Sequence, residues 1–129
     1  MPDRRLISSG GPWEASVGYS RAVAVGDSCW VSGTTDAGPD GRSANPGDAG
    51  AQARAAWGIV EAALAEGGFT LADVVRTRTF VVSLDDAPAV LAVHGELFSD
   101  VRPAATIVQV SALIEPTLLV EVEAEARRT

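Results

Sequence analysis

The chain is poor in the residues on which most reactive chemistry depends. Its 129 residues hold one cysteine and one histidine. A lone cysteine cannot close an internal disulfide. Cys29 also stands beside Trp30 and Val31 in an apolar run, which suits a buried structural thiol better than a nucleophile. With one Cys and one His, a zinc site would have to be built from carboxylates that no spacing marks, so no metal ligands are expected. A Ser-His-Asp triad could use only His94, and there is no G-x-S-x-G elbow. There is no P-loop and no G-x-G-x-x-G, so nothing calls for a cofactor.

Positive charge is scarce as well. Ten Lys and Arg stand against 17 Asp and Glu, for a formal net charge of −7. Such a surface repels phosphate backbones, so a nucleic-acid partner is not expected. No apolar run is long enough to cross a membrane. The opening "MPDRRLISSGG" has charge but no apolar stretch of the kind a signal peptide needs. These absences together predict a soluble cytoplasmic protein.

What the chain does have is material for a core. It is 47% hydrophobic and 21% charged, and its length suits one domain spanning 1–129. "RLIS" (4–7) reads as a short edge strand and "SSGGPWEASVG" (8–18) as a loop. "RAVAV" (21–25) and "SCWVSGT" (28–34) read as a hairpin turning at Gly26-Asp27. After a loop over 35–48 comes a helix, with Asn45 as its cap, Pro46 in its first turn and Asp48 complementing its dipole. Ala53, Ala56, Trp57, Val60 and Leu64 form one apolar stripe, and Gly67-Gly68 ends the helix.

"DVVRTRTFVVSL" (73–84) is β-branched and reads as a strand that puts Val74, Arg76, Arg78, Phe80 and Val82 on one face. A second helix starts near Asp85-Asp86, with Pro88 in its first turn, a stripe of Val90, Val93 and Leu97, and Phe98 beside it. In "ATIVQVS" (105–111), Ala105, Ile107 and Gln109 face one way and Thr106, Val108 and Val110 the other. In "LLVEVEAEA" (118–126), Leu118, Val120, Val122, Ala124 and Ala126 oppose Leu119, Glu121, Glu123 and Glu125. The order β-β-β-α-β-α-β-β predicts an α+β domain: a mixed β-sheet with two helices on one face. The other face would need cover of its own, which copies of the same chain could supply.

This order, with "GYSRAV", "VSGTT", "AQARAAWGIVEAAL", "DVVRTRTFVV", "RPAATIVQV" and "LVEVEAEA", resembles the RidA (YjgF) family over nearly the whole chain. The resemblance implies a chorismate-mutase-like domain that forms a homotrimer, with small-molecule sites in clefts between subunits. It also implies cofactor-free hydrolysis of reactive imines and enamines to 2-oxoacids and ammonia. An older family label is L-PSP endoribonuclease. In the family's motif an arginine follows the Pro-Ala pair and grips the substrate carboxylate. Ala105 stands there in this chain. Ile107 replaces the family's cysteine and Leu91 its helix asparagine, while Tyr19, Ser32-Gly33 and Glu121 are retained. The chain therefore resembles a divergent branch without the deaminase arginine. The expected substrate is less dependent on a free carboxylate. The competing expectation is a catalytically silent metabolite-binding or interaction protein of the same fold.

The candidate site follows. Glu121 is the catalytic candidate, positioning water or moving a proton; it could instead serve an interface ion pair. Tyr19, Gly33, Ala105 and Ile107 are the expected ligand walls, with Trp13 as a further apolar wall. Arg102, biased toward extended backbone by Pro103, is either a solvated or intersubunit ion-pairing residue or a substitute anion clamp. Arg21 is open to the same two readings. His94 is a packing residue of the second helix or a residue at the cleft rim. Arg76 and Arg78 are expected to pair with the acidic ladder Glu121, Glu123 and Glu125.

Overall fold

A computed structural model describes residues 3–129. Six strands form one sheet: β1 (Arg4–Ile7), β2 (Ala22–Val25), β3 (Ser28–Thr34), β4 (Val74–Val81), β5 (Ala104–Gln109) and β6 (Val120–Arg127). Their spatial order is β1-β2-β3-β6-β4-β5. Only β4 and β5 run parallel, and α2 (Ala87–Phe98) is the crossover between them. The other helix, α1 (Ala49–Glu66), connects β3 to β4. The element order and the mixed sheet agree with the expectation from sequence.

The core forms where one sheet face meets the helices. Ala22, Ala24, Val31, Val122, Ala124 and Ala126 face inward from the strands. Ala53, Ala56, Trp57, Val60 and Leu64 face them from α1, with Val90, Val93 and Phe98 from α2. The many alanines let the helices seat closely, so Trp57 fills the remaining space and meets Phe98 edge-on at 5.0 Å. Cys29 is fully buried, and burial pushes its thiol pKa up, which keeps it a poor nucleophile. No helix is long and apolar enough to cross a membrane among the described residues.

Four expectations about local backbone and capping need correction. Asn45 does not cap α1: Asp48 does, accepting from the Ala51 N–H at 3.0 Å, and Asn45 bonds the buried Asp36 carboxylate instead. Val74 does not share a face with Arg76, because a register shift between them turns Val74 into the core and leaves Val75 exposed. Arg102 is not extended. Its φ is 54°, in the left-handed region, and its N–H donates to Phe98 O at 2.8 Å at the end of the preceding helix. The loop over 8–18 is not featureless either: Glu14–Gly18 makes one wide helical turn.

The sheet face away from the helices carries Leu6, Trp30 and Val108, all exposed within the chain. Between them run the charged rows, in which Phe80, Arg78 and Arg76 stand opposite Glu121, Glu123 and Glu125. Arg78 lies 3.6 Å from Glu123 and 3.4 Å from Glu125, as the pairing expectation had it. Arg76 does not join them; its Nη2 reaches Thr106 Oγ1 at 3.4 Å.

Candidate functional site

Two residues in β3 shape the larger cavity. Val31 pairs with Ala124 and Thr34 with Val122. Ser32 and Gly33 therefore share the place opposite Glu123, a β-bulge of two residues against one. Ser32 fastens the incoming chain, its N–H donating to Arg21 O at 3.0 Å and its hydroxyl to Ser20 O at 2.6 Å. The Gly33 carbonyl accepts from Arg21 Nη2 at 2.5 Å. The Arg21 guanidinium in turn lies 5.6 Å from the centre of the Tyr19 ring.

Glu121 comes to this place from β6. A Cβ on Gly33 would overlap the Glu121 carboxylate, so the absence of a side chain at 33 makes room for it. Burial raises the Glu121 pKa; Arg21 pulls it back down and Glu123 pushes it further up. The loop over 8–18 borders the same space and is anchored by Glu14, which the sequence reading passed over. Its buried carboxylate accepts from the Ser9 N–H at 3.2 Å and the Ser9 hydroxyl at 2.6 Å. Burial alone would raise the Glu14 pKa, but hydrogen bonds from Ser9, Ser8 and Gly11 hold it below the usual carboxylate range. Trp13 in this loop lies over Gly41, where φ is +83° and a Cβ would come 2.7 Å from the indole. The result is a cavity of about 600 Å³ that Trp13, Tyr19, Arg21, Gly33, Thr35 and Glu121 help to line.

Ala105, Ile107 and His94 lie elsewhere. They line a smaller hollow of about 90 Å³ with Leu91 and Thr77, between α2 and β5. Ala105 pairs with Thr77, which faces the helices, whereas Glu121 faces away from them. Among the described residues, neither of these two cavities holds both groups. His94 is half-buried and its Nε2 lies 2.8 Å from Thr77 Oγ1. Its ring packs against Phe98 at 4.7 Å and Trp57 at 5.9 Å, and burial lowers its pKa. Arg102 is exposed and borders neither cavity.

Two buried polar residues escaped the sequence reading. Gln52 donates to Asn45 O at 3.2 Å and Thr117 O at 3.0 Å and accepts from the Leu119 N–H at 2.8 Å. It thereby ties α1 to the segment that leads into β6. Asp36 Oδ2 gathers Ser43 Oγ at 2.7 Å and the Asn45 backbone and side-chain amides, each at 3.0 Å, and shapes the loop before α1. The signal for Gln52 was available, since a polar residue three after Ala49 and four before Ala56 falls on the apolar stripe.

Residues 12–128 match the protein-family model described as Endoribonuclease L-PSP. Protein SCO2049 of Streptomyces coelicolor is 42% identical over 124 residues, covering 96% of this chain and 92% of its own. The 3-aminoacrylate deaminase RutC of Acinetobacter baylyi is 30% identical over 126 residues, 98% of either chain. The crystal structure of Rv2704 from Mycobacterium tuberculosis, a member of the YjgF/YER057c/UK114 family, has a TM-score of 0.89. It is 44% identical and the match covers 98% of this chain and 100% of that one.

Proposed function

The chain belongs to the Endoribonuclease L-PSP family, and on that footing we propose that its Glu121 cavity processes an imine, an enamine or a related reactive metabolite without a cofactor. The observation that carries this reading is the Glu121 carboxylate, held against Gly33 with its pKa raised by burial. A carboxylate poised closer to neutrality exchanges a proton more readily at neutral pH. In the proposed step Glu121 takes a proton from water as the oxygen adds to the C=N carbon. The nitrogen gains that proton to give a carbinolamine; Glu121 then takes the hydroxyl proton and returns it to the nitrogen as the C–N bond breaks, so that ammonia leaves and a carbonyl stands in place of the imine. The deaminase name of the Acinetobacter relative supports this reaction class.

The proposed assembly is a homotrimer. Its motive is the apolar open sheet face with Leu6, Trp30 and Val108. Association would let the Glu121 cavity of one subunit meet the hollow formed by Ala105, Ile107 and His94 of the next. Because Ala105 puts no cation on β5, ordinary 2-iminoacid deamination is not the proposed activity. Ribonuclease activity has little support, given a net charge of −7.

A panel of imines generated in place, with ammonia and carbonyl products measured, tests the reading. Turnover above the uncatalysed rate is expected, and it should collapse in Glu121→Gln. Saturable binding with no product from any imine would replace it with the metabolite-binding reading. Gain of 2-iminoacid deamination in Ala105→Arg would show that only the clamp is missing.

A further inference from the structure

We propose that Arg21 selects the ligand of the larger cavity, and that this ligand is a carboxylate with an apolar body, its charged end lying against β2 and β3. The inference rests on the reading of the Glu121 cavity as the working site. It departs from the expectation that a chain with Ala105 would have little use for a free carboxylate.

The charges on the protein narrow the choice. Arg102 is exposed and away from the cavity. Arg78 is engaged with Glu123 and Glu125, and Arg76 leans on Thr106. Arg21 is the cation among the cavity's lining residues, and no carboxylate of the described residues lies within ion-pair distance of it. Its position is held by the Gly33 carbonyl and by the Tyr19 ring. That leaves a planar, pre-set group with donors to spare, and its Nε is buried without any partner. A half-buried cation with an unmatched donor carries a desolvation cost that an incoming anion would offset. Guanidinium matches carboxylate geometry in two parallel bonds.

The far walls speak to the rest of the ligand. Pro12, Trp13, Pro39, Ile59, Ile114 and Leu118 border the same space. A volume of about 600 Å³ falls among pockets that hold ligands of roughly drug size, ~300–1,000 Å³. A three- or four-carbon acid would reach Arg21 and leave the Trp13 wall bare. An acid with an aromatic or branched body would cover both.

Titration calorimetry with three probes tests this: cinnamate, its neutral counterpart cinnamamide, and crotonate, which lacks the ring. The wild-type protein should bind cinnamate more tightly than either of the others. Arg21→Gln can still donate to Gly33 O but carries no charge. It should bind cinnamate about tenfold or more weakly, with cinnamamide unchanged. Arg21→Lys should fall between, as a point charge without the fork. Trp13→Ala should reduce cinnamate to the level of crotonate. The proposal is overturned if wild type does not bind cinnamate, if it binds cinnamamide or crotonate equally well, or if Arg21→Gln binds cinnamate normally. Loss of cinnamate and cinnamamide together in Arg21→Gln also overturns it, since that marks a structural role. The cinnamate titration needs no turnover. An imine panel without turnover would therefore end the catalytic reading and leave this one intact.

Discussion

The Glu121 carboxylate occupies the space that a side chain at Gly33 would take. Two strands and one bulge create that relationship: β3 supplies a residue without a Cβ, and β6 supplies the acid beside it. Gly33→Ala should therefore push Glu121 aside while leaving the fold in place. A displacement of about 1 Å can cost roughly a hundredfold in rate. Turnover of any substrate found in the imine panel is expected to fall on that scale, with the circular dichroism spectrum unchanged. Full activity in Gly33→Ala would mean that the carboxylate's position does not matter.

Glu121 also sets a pH dependence of stability. Its pKa is raised in the folded state, mainly by burial. Below the unfolded carboxylate pKa of about 4.3 both states hold the proton and the site has no effect. As pH rises through the folded pKa, the folded state must carry a partly buried charge and loses stability. Glu121→Gln should melt higher than wild type near pH ~7 and alike near pH ~4. Equal melting curves at both pH values would contradict a partly buried carboxylate whose charge costs stability.

His94 should act in the opposite range. Packing against Trp57 and Phe98 lowers its pKa. As pH falls below the unfolded value of about 6.5, the unfolded chain binds a proton that the folded one resists, and stability drops. Replacement by Gln keeps a hydrogen-bonding group for Thr77 and removes the titration. Urea unfolding between pH ~7 and ~5 should show a shallower loss for His94→Gln than for wild type.

Gln52 offers a stability test away from both cavities. It satisfies the Asn45 and Thr117 carbonyls and the Leu119 N–H. Gln52→Leu keeps the apolar stem but leaves all three backbone groups without that partner. A loss of about 3 kcal/mol is expected from buried groups left unsatisfied, measurable as a lower urea midpoint. Because the segment it holds leads to Leu118 of the larger cavity, ligand binding should weaken with it.

Much of the fold was legible because periodicity encodes it. The alternation in β6 placed Val120, Val122, Ala124 and Ala126 inward and Glu121, Glu123 and Glu125 outward, as they are found. The stripe of α1 picked out Trp57, Val60 and Leu64, all buried. The errors fell where one local signal outranked another. Asn45-Pro46 looked like a helix start, yet the buried Asp36 claims Asn45 and leaves the cap to Asp48. Val74 broke the alternation of β4 because a register shift is invisible to a pattern of period two.

Hydrophobic alternation and turn chemistry suffice to specify the strands, the helices and which side of each faces the core, because each depends on neighbours within a few residues. Which charged groups meet does not depend on near neighbours. Arg21 and Glu121 are 100 positions apart by number, and only the antiparallel pairing of β3 with β6 brings them to one cavity. The same pairing, followed across to β4 and β5, places Ala105 on the other face, against His94 of α2. The side of the sheet that Ala105 takes is a consequence of register, which long-range pairing decides.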